Sequence, residues 1–208
     1  MYLSKLELDM RNPSVRQALA DCQDMHKNLM TGFDGTRKET GVLYRIERSK
    51  ASVCLYVLSA QQPDWTPTES RGYRCVGIRD ISALRELYKE GDVLAFSLRA
   101  CPAKKVYTGR KNSRRVFLRT EQERKAWLVR QGDKYGFILL DARETRKADW
   151  IEGNKQENHM AFGAAEFQGV LRIQSAERFW QSYCSGFGSG KAYGMGLMLL
   201  QRASDVCM

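Results

Sequence analysis

Near the C-terminus, the run Gly186-Phe187-Gly188-Ser189-Gly190-Lys191-Ala192-Tyr193-Gly194-Met195-Gly196-Leu197 interleaves glycines with other residues around a single lysine. Glycine accepts φ > 0 and lets another backbone approach closely. A concave run of backbone N–H groups beside a cation favours anions, phosphate above all. Neither common glycine motif fits. A P-loop requires G-x-x-x-x-G-K-[ST], but counting from Gly190-Lys191 puts Ser185 at the first glycine and Ala192 at the hydroxyl position. A dinucleotide fingerprint runs strand, glycines, helix, whereas here a helix precedes the glycines and a strand follows. The same residues also suit a packing loop in which a strand meets another backbone.

Two other features could carry chemistry. His26 is one, because imidazole is the side chain that changes charge nearest neutral pH. Val15, Ala18, Leu19, Cys22, Met25, Leu29 and Phe33 share one face of a helix. His26 lies roughly 35° from the centre of that face at 100° per residue, which suits a core or interface residue as well as a catalyst. The other is a basic segment holding Lys104, Lys105, Arg110, Lys111, Arg114, Arg115 and Arg119, with no acid among them and with Tyr107 and Phe117 interleaved. Such a run suits either a solvated loop or a phosphate-binding surface. With 2 histidines, 6 scattered cysteines and no C-x-x-C pair, no metal site is expected.

The elements that must position these groups belong to a chain of 208 residues, long enough for one large or two small domains. Hydrophobic residues make up 43%, which supports a packed core. The net charge of +10 and pI near 9.4 point to a polyanionic partner. No apolar run approaches the roughly 18 residues that span a bilayer. Glu7 and Asp9 stand where a secretory leader would be apolar. A cytoplasmic protein with reduced cysteines is therefore expected.

Leu3, Leu6 and Leu8 mark a first strand. Asn12-Pro13-Ser14 starts a helix predicted to run to about Thr31. A polar loop with Arg37 and Lys38 follows. Strands are predicted at 42–47 and 53–58, then a long loop from Gln61, a short helix from Ile81 to Lys89 and a strand at 93–98. That order, β-α-β-β-α-β, is a ferredoxin-like half, a topology shared with RNA-recognition modules. Thr120 and Glu123 form a capping box for a helix to Gln131. A strand at 137–140 precedes a polar stretch, 141–158, that is either a loop or a protruding hairpin. One or two strands at 162–173, a helix at 175–183, the glycine loop and a strand at 197–200 complete a rough repeat of the first half. No internal sequence repeat is visible.

Several short pieces, in order, give the chain a family likeness. They are Met1-Tyr2-Leu3-Ser4-Lys5, Met25-His26-x-x-Leu29, Leu58-Ser59-Ala60-Gln61-x-Pro63 and Leu98-Arg99-Ala100-x-Pro102. Ala126-Trp127-Leu128, Phe167-x-Gly169-x-Leu171 and the glycine run from Gly186 to Leu197 continue the series. Across nearly the whole chain these resemble the CasE family, the CRISPR-RNA-processing endoribonucleases of type I-E systems. The resemblance implies an α+β fold of two tandem ferredoxin-like (RRM-like) domains with antiparallel sheets, divided as 1–91 and 92–208. It implies binding of the CRISPR repeat RNA hairpin, cleavage at its 3′ base without metal or other cofactor, and retention on the crRNA with the other Cascade subunits. No membrane partner is implied.

By the same resemblance His26 takes the place of the catalytic histidine. RNA carries its own nucleophile, the 2′-hydroxyl, so one group titrating near neutral pH suffices as acid or base, worth roughly 10²–10⁴-fold. Relatives often carry a tyrosine one turn earlier, where this chain has Gln23, and asparagine where it has Cys101. With Gln23 unable to move a proton, His26 carries more of the work, and Lys27 is the candidate cation by adjacency. Arg37, Lys38, Lys104, Lys105, Arg110, Lys111, Arg114, Arg115 and Lys155 are expected on RNA. The loop with Gly188, Gly190 and Lys191 either lies near the RNA or holds the closing strand against the first domain. His159 matches no motif and is expected in an exposed loop. Two other readings are open: a catalytically weak or inactive hairpin-binding subunit of the same complex, and a ribosome- or tRNA-associated protein.

Overall fold

The computed structural model describes residues 1–107, 109, 114–155 and 158–202. Of Arg114, Lys147, Asn154, Lys155, Asn158 and His159 it describes the backbone alone. In chain order the elements are β1 (Tyr2–Leu8), α1 (Pro13–Ala20), α2 (Cys22–Met30), α3 (Arg37–Thr40), β2 (Leu43–Arg48), β3 (Val53–Ser59), α4 (Thr66–Glu69), β4 (Tyr73–Asp80) and α5 (Leu84–Leu87). Then come β5 (Val93–Ala100), β6 (Ala103–Val106), β7 (Arg114–Phe117), α6 (Glu121–Tyr135), β8 (Phe137–Lys155), β9 (Asn158–Ile173), α7 (Ala176–Ser185), a 3₁₀ turn (Lys191–Tyr193) and β10 (Met198–Arg202).

Two antiparallel four-stranded sheets organise the chain. Their orders are β2-β3-β1-β4 and β10-β5-β9-β8. Each is the ferredoxin-like order, with the first and third strands of a β-α-β-β-α-β unit at the centre. In β1, Ser4, Leu6 and Leu8 are buried and the residues between them less so, as the two-residue period of a strand demands. Leu6 and Leu8 pack under Val15, Ala18, Met25 and Leu29 of the helices above. In the second sheet Leu94, Phe96 and Leu98 pack against Trp127, Phe137, Phe167 and Phe179. A third cluster joins the two sheets: Leu43 and Leu58 meet Ile81, Tyr183 and Leu197. Arg45 Nη2 donates across the same boundary to Ser97 Oγ at 2.9 Å.

Several expectations are corrected. The helix from Ser14 to Thr31 is two helices. Asp21 sits between them with extended backbone (φ −127°, ψ 114°), and its carboxylate accepts from Gln23 N at 2.8 Å, capping α2. The fourth strand of the first sheet is β4, not the strand at 93–98, which instead opens the second sheet. β4 was hidden in the long loop because it is a half-buried edge strand, with Arg74, Gly77 and Arg79 breaking the apolar alternation. The helix from Ile81 to Lys89 shrinks to α5, a connector between the sheets.

Of the basic segment, Lys104, Lys105, Arg114 and Arg115 lie on the antiparallel strands β6 and β7. The polar 141–158 stretch is a hairpin, continuous with both neighbouring strands, and 162–173 lies within the single strand β9. Register shifts between Leu139 and Asp141 and again on either side of Arg146 mark irregularities that bend this long hairpin. His159 pairs with Asn154 within it, so its backbone is strand and not loop.

α6 keeps its expected capping box, Thr120 with Glu123, and ends at Gly136 in the left-handed region (φ 81°). Buried Arg124 on that helix gives Glu144 two hydrogen bonds of 2.8 Å each, tying α6 to β8.

Candidate functional site

The site is built on α2. Gln23 and His26 are three residues apart and so share one face of this helix. That face meets the 3₁₀ turn of the C-terminal glycine loop, where the Tyr193 ring and the His26 imidazole form a T-shaped pair at 6.4 Å and 70°. The Tyr193 hydroxyl lies 3.4 Å from Gln23 Oε1 and 3.7 Å from Met160 Sδ. The opposing ring of Phe162, on β9, stacks on Tyr193 at 4.9 Å. Burial raises the Tyr193 phenol, aided by Cys22, so it stays protonated and acts as a donor.

The glycine loop can present Tyr193 because Gly190 and Gly194, at either end of the turn, are both left-handed (φ 73° and 79°). A Cβ on Gly194 would stand 3.0 Å from the Tyr44 ring. The loop is pinned to the end of β5 by Gly196 N donating to Arg99 O at 2.8 Å and by the Cys101–Ser189 bridge. The N–H groups of Gly186, Phe187, Tyr193 and Gly196 all donate to backbone carbonyls. Gly188 backs onto Trp127 and Gly190 onto Met195. Those N–H groups are thereby spent on packing the loop. Its lysine adds the charge.

Lys191 Nζ donates to Ser185 O at 2.7 Å, and its pKa is lowered by burial and by the nearby cations Arg37 and Lys134. Arg37, the first residue of α3, is half-buried, and burial lowers its pKa as well. Lys191 and Arg37 are thus two partly buried cations, with Arg37 within electrostatic reach of Lys191. Arg37 also interacts with the Tyr193 side chain, which links this pair to the His26 face.

The other predicted residues fall in three places. Lys27 pairs with Asp24 at 3.3 Å on the side of α2 lined by Ser14, Gln17, Asn28 and Arg71, whereas His26 faces Tyr193. Adjacency in sequence therefore does not bring Lys27 to the imidazole. Lys38 is exposed on α3. On the β6–β7 hairpin Lys105 stands opposite Arg115, both exposed, and Lys104 pairs with Glu123 at 3.6 Å. Like charges directly opposite are destabilising without an anion between them. Arg114 ends the hairpin ladder opposite Val106. Arg110 and Lys111 lie outside the described residues. Lys155 ends β8, at the tip of the β8–β9 hairpin.

Gly153 of that hairpin lies against Asp21 and Cys22 at the start of α2, Met160 and Phe162 lie against Tyr193, and Phe117 of β7 packs on Gly163 and Trp150. A cavity of about 400 Å³ lies behind the site, lined by Cys22, Tyr44, Arg99, Trp150 and Tyr193. Its Asp149 and Glu166 pair with Arg99, and Glu166 also with Arg146. Sequence reasoning missed Tyr193 and Phe162 as site residues. The one signal for Tyr193 was its place inside the glycine run.

Known proteins can now be set beside this geometry. Residues 1–202 match the family described as CRISPR associated protein. The chain belongs to that family. A curated relative, CRISPR-associated endoribonuclease Cse3 of Thermus thermophilus, is 29% identical over 216 aligned residues, spanning 95% of this chain and 98% of the relative. Among solved structures of the family, CRISPR endoribonuclease Cse3 bound to 19 nt RNA superposes with a TM-score of 0.85 at 27% identity, covering 97% of this chain and 100% of that one. Thermus thermophilus Cse3 bound to an RNA representing a pre-cleavage complex gives 0.84 at 27%, covering 96% and 98%. The tandem ferredoxin-like fold expected of a CRISPR-associated protein is thus the fold observed. Among the described residues no helix is long and apolar enough to cross a membrane.

Proposed function

We propose that this CRISPR-associated protein is an endoribonuclease that binds the repeat hairpin of pre-crRNA and cuts at its 3′ base. The 2′-oxygen attacks the adjacent phosphorus, the bond from phosphorus to the 5′-oxygen breaks, and the products carry a 2′,3′-cyclic phosphate and a 5′-hydroxyl. His26 removes the 2′-proton or supplies the proton to the departing 5′-oxygen. Arg37 and Lys191 meet the charge that builds on the phosphate oxygens, the part first given to Lys27. Because the nucleophile belongs to the RNA, no metal-bound water is needed. The β6–β7 hairpin, with Lys104, Lys105, Arg114 and Arg115, and the Lys155 tip of the β8–β9 hairpin follow the phosphates of the A-form stem, whose shape rather than sequence is legible there. The catalytic helix belongs to an N-terminal unit, 1–91, and the basic hairpins and glycine loop to a C-terminal unit, 92–208. The protein works in the cytoplasm and remains on the crRNA within Cascade.

The observation that carries this reading is the imidazole of His26 paired with Tyr193 of a loop whose lysine lies within electrostatic reach of Arg37. A binding-only role is the second reading, favoured by Gln23, which brings no acid or base to the helix. The test is cleavage of a labelled cognate repeat in chelator by the wild type and by His26→Ala. Wild-type cutting that His26→Ala abolishes supports the nuclease. Equal cutting by both overturns the assignment of His26, and binding without cutting by either leaves the hairpin-binding subunit.

A further inference from the structure

We propose that Tyr193 is the positioning residue for His26, and that the site is incomplete without this contribution from the C-terminal half of the chain. The inference rests on the catalytic assignment of His26 above. Imidazole on an α-helix retains rotamer freedom about χ1 and χ2 unless packing removes it. Proton transfer to or from RNA needs the ring held in one orientation, and a misplacement of about 1 Å costs on the order of 10²-fold in rate.

Tyr193 is suited to that task because it is itself fixed on every side that the structure describes. Left-handed glycines bracket its backbone, and its N–H donates to Gly190 O at 2.8 Å. One face of the ring is covered by Phe162 at 4.9 Å, with the two planes 24° apart. The hydroxyl reaches α2 itself, 3.4 Å from Gln23 Oε1, one turn before the histidine. The same ring meets His26 in a T-shaped pair, with centroids 6.4 Å apart and planes at 70°. T-shaped packing is a preferred aromatic geometry. The contact is made by the ring, so phenylalanine should serve in place of tyrosine.

The experiment compares single-turnover cleavage at saturating enzyme with hairpin affinity for the wild type, Tyr193→Leu, Tyr193→Phe and His26→Ala. Tyr193→Leu is expected to cut about tenfold to a hundredfold more slowly with affinity unchanged within about twofold, and Tyr193→Phe to stay within about threefold of wild type. Wild-type rates in Tyr193→Leu overturn the proposal. So does a loss in affinity that accounts for the loss in rate, and so does a Tyr193→Phe as slow as Tyr193→Leu. If Tyr193→Leu melts near the assay temperature, Phe162→Leu decides, because it keeps the loop whole while removing the stacking partner. A slower cut at unchanged affinity then supports the proposal, and a wild-type rate overturns it. Undiminished cutting by His26→Ala would instead sink the nuclease assignment on which the proposal rests.

Discussion

Gly153 and Cys22 meet with no room for a side chain between them. A Cβ on Gly153 would stand 2.6 Å from Cys22 Sγ and 2.8 Å from the Asp21 carboxylate that caps α2. This contact seats the helix bearing His26 on the β8–β9 hairpin, and it ties the hairpin proposed to follow the RNA to the group proposed to cut it. Gly153→Ala should therefore push the two apart. Overpacking of this kind costs typically about 1–3 kcal/mol. The expected result is a lowered melting temperature and a cleavage rate reduced more than hairpin affinity. Cys22→Ala in the same background should recover part of both, since it removes the nearest obstructing atom. A Gly153→Ala protein with unchanged melting and cleavage would show that α2 does not depend on this seat.

The two lysines closest to the site in sequence or space should behave differently. Lys191 is half-buried within electrostatic reach of Arg37, and Lys27 is held by Asp24 on the outer side of α2. Lys191→Met is expected to weaken hairpin binding, to slow cleavage and to reduce the slope of log affinity against log salt by about one unit. Lys27→Met should leave the cleavage rate within about twofold of wild type, because exposed ion pairs contribute little. A series of binding and single-turnover measurements from low to moderate salt distinguishes them. The opposite ranking would return the phosphate to Lys27.

Acid should act through the Thr120–Glu123 capping box. Hydrogen bonds from the Thr120 backbone and hydroxyl, with help from Lys104, hold the Glu123 carboxyl below the usual carboxylate range. A carboxylate lowered on folding stabilises the fold above its unfolded pKa, and that contribution is lost as the pH falls through the folded value. Glu123→Gln keeps the capping geometry but removes the titration. Its melting temperature should lie below wild type at pH 7 and converge with it as the pH drops through and below about 4, the ordinary range for glutamate. The Lys104–Glu123 contact should be lost over the same window, freeing one end of the basic hairpin. A difference between the two proteins that does not change with pH would remove this account.

The strands β1 and β5, the capping box of α6 and the net positive charge could all be read from the sequence. Each is a local property: one strand face, one helix end, one sum of charges. The same holds for His26 on a helix and for the family likeness, which depends on short pieces in a fixed order. What the sequence could not disclose depends on partners distant in the chain. An edge strand such as β4 needs only one neighbour and buries only part of one face, so its composition stays mixed. The break at Asp21 turns on whether its carboxylate caps a new helix, a choice that an unbroken apolar periodicity across α1 and α2 conceals. Tyr193 stands 167 residues beyond His26 by subtraction of their numbers, and only the closing of the second sheet onto the first brings the two rings together. Periodicity records how much of an element is covered, whereas the identity of the cover, and with it the cations that serve the site, is decided when the two sheets meet.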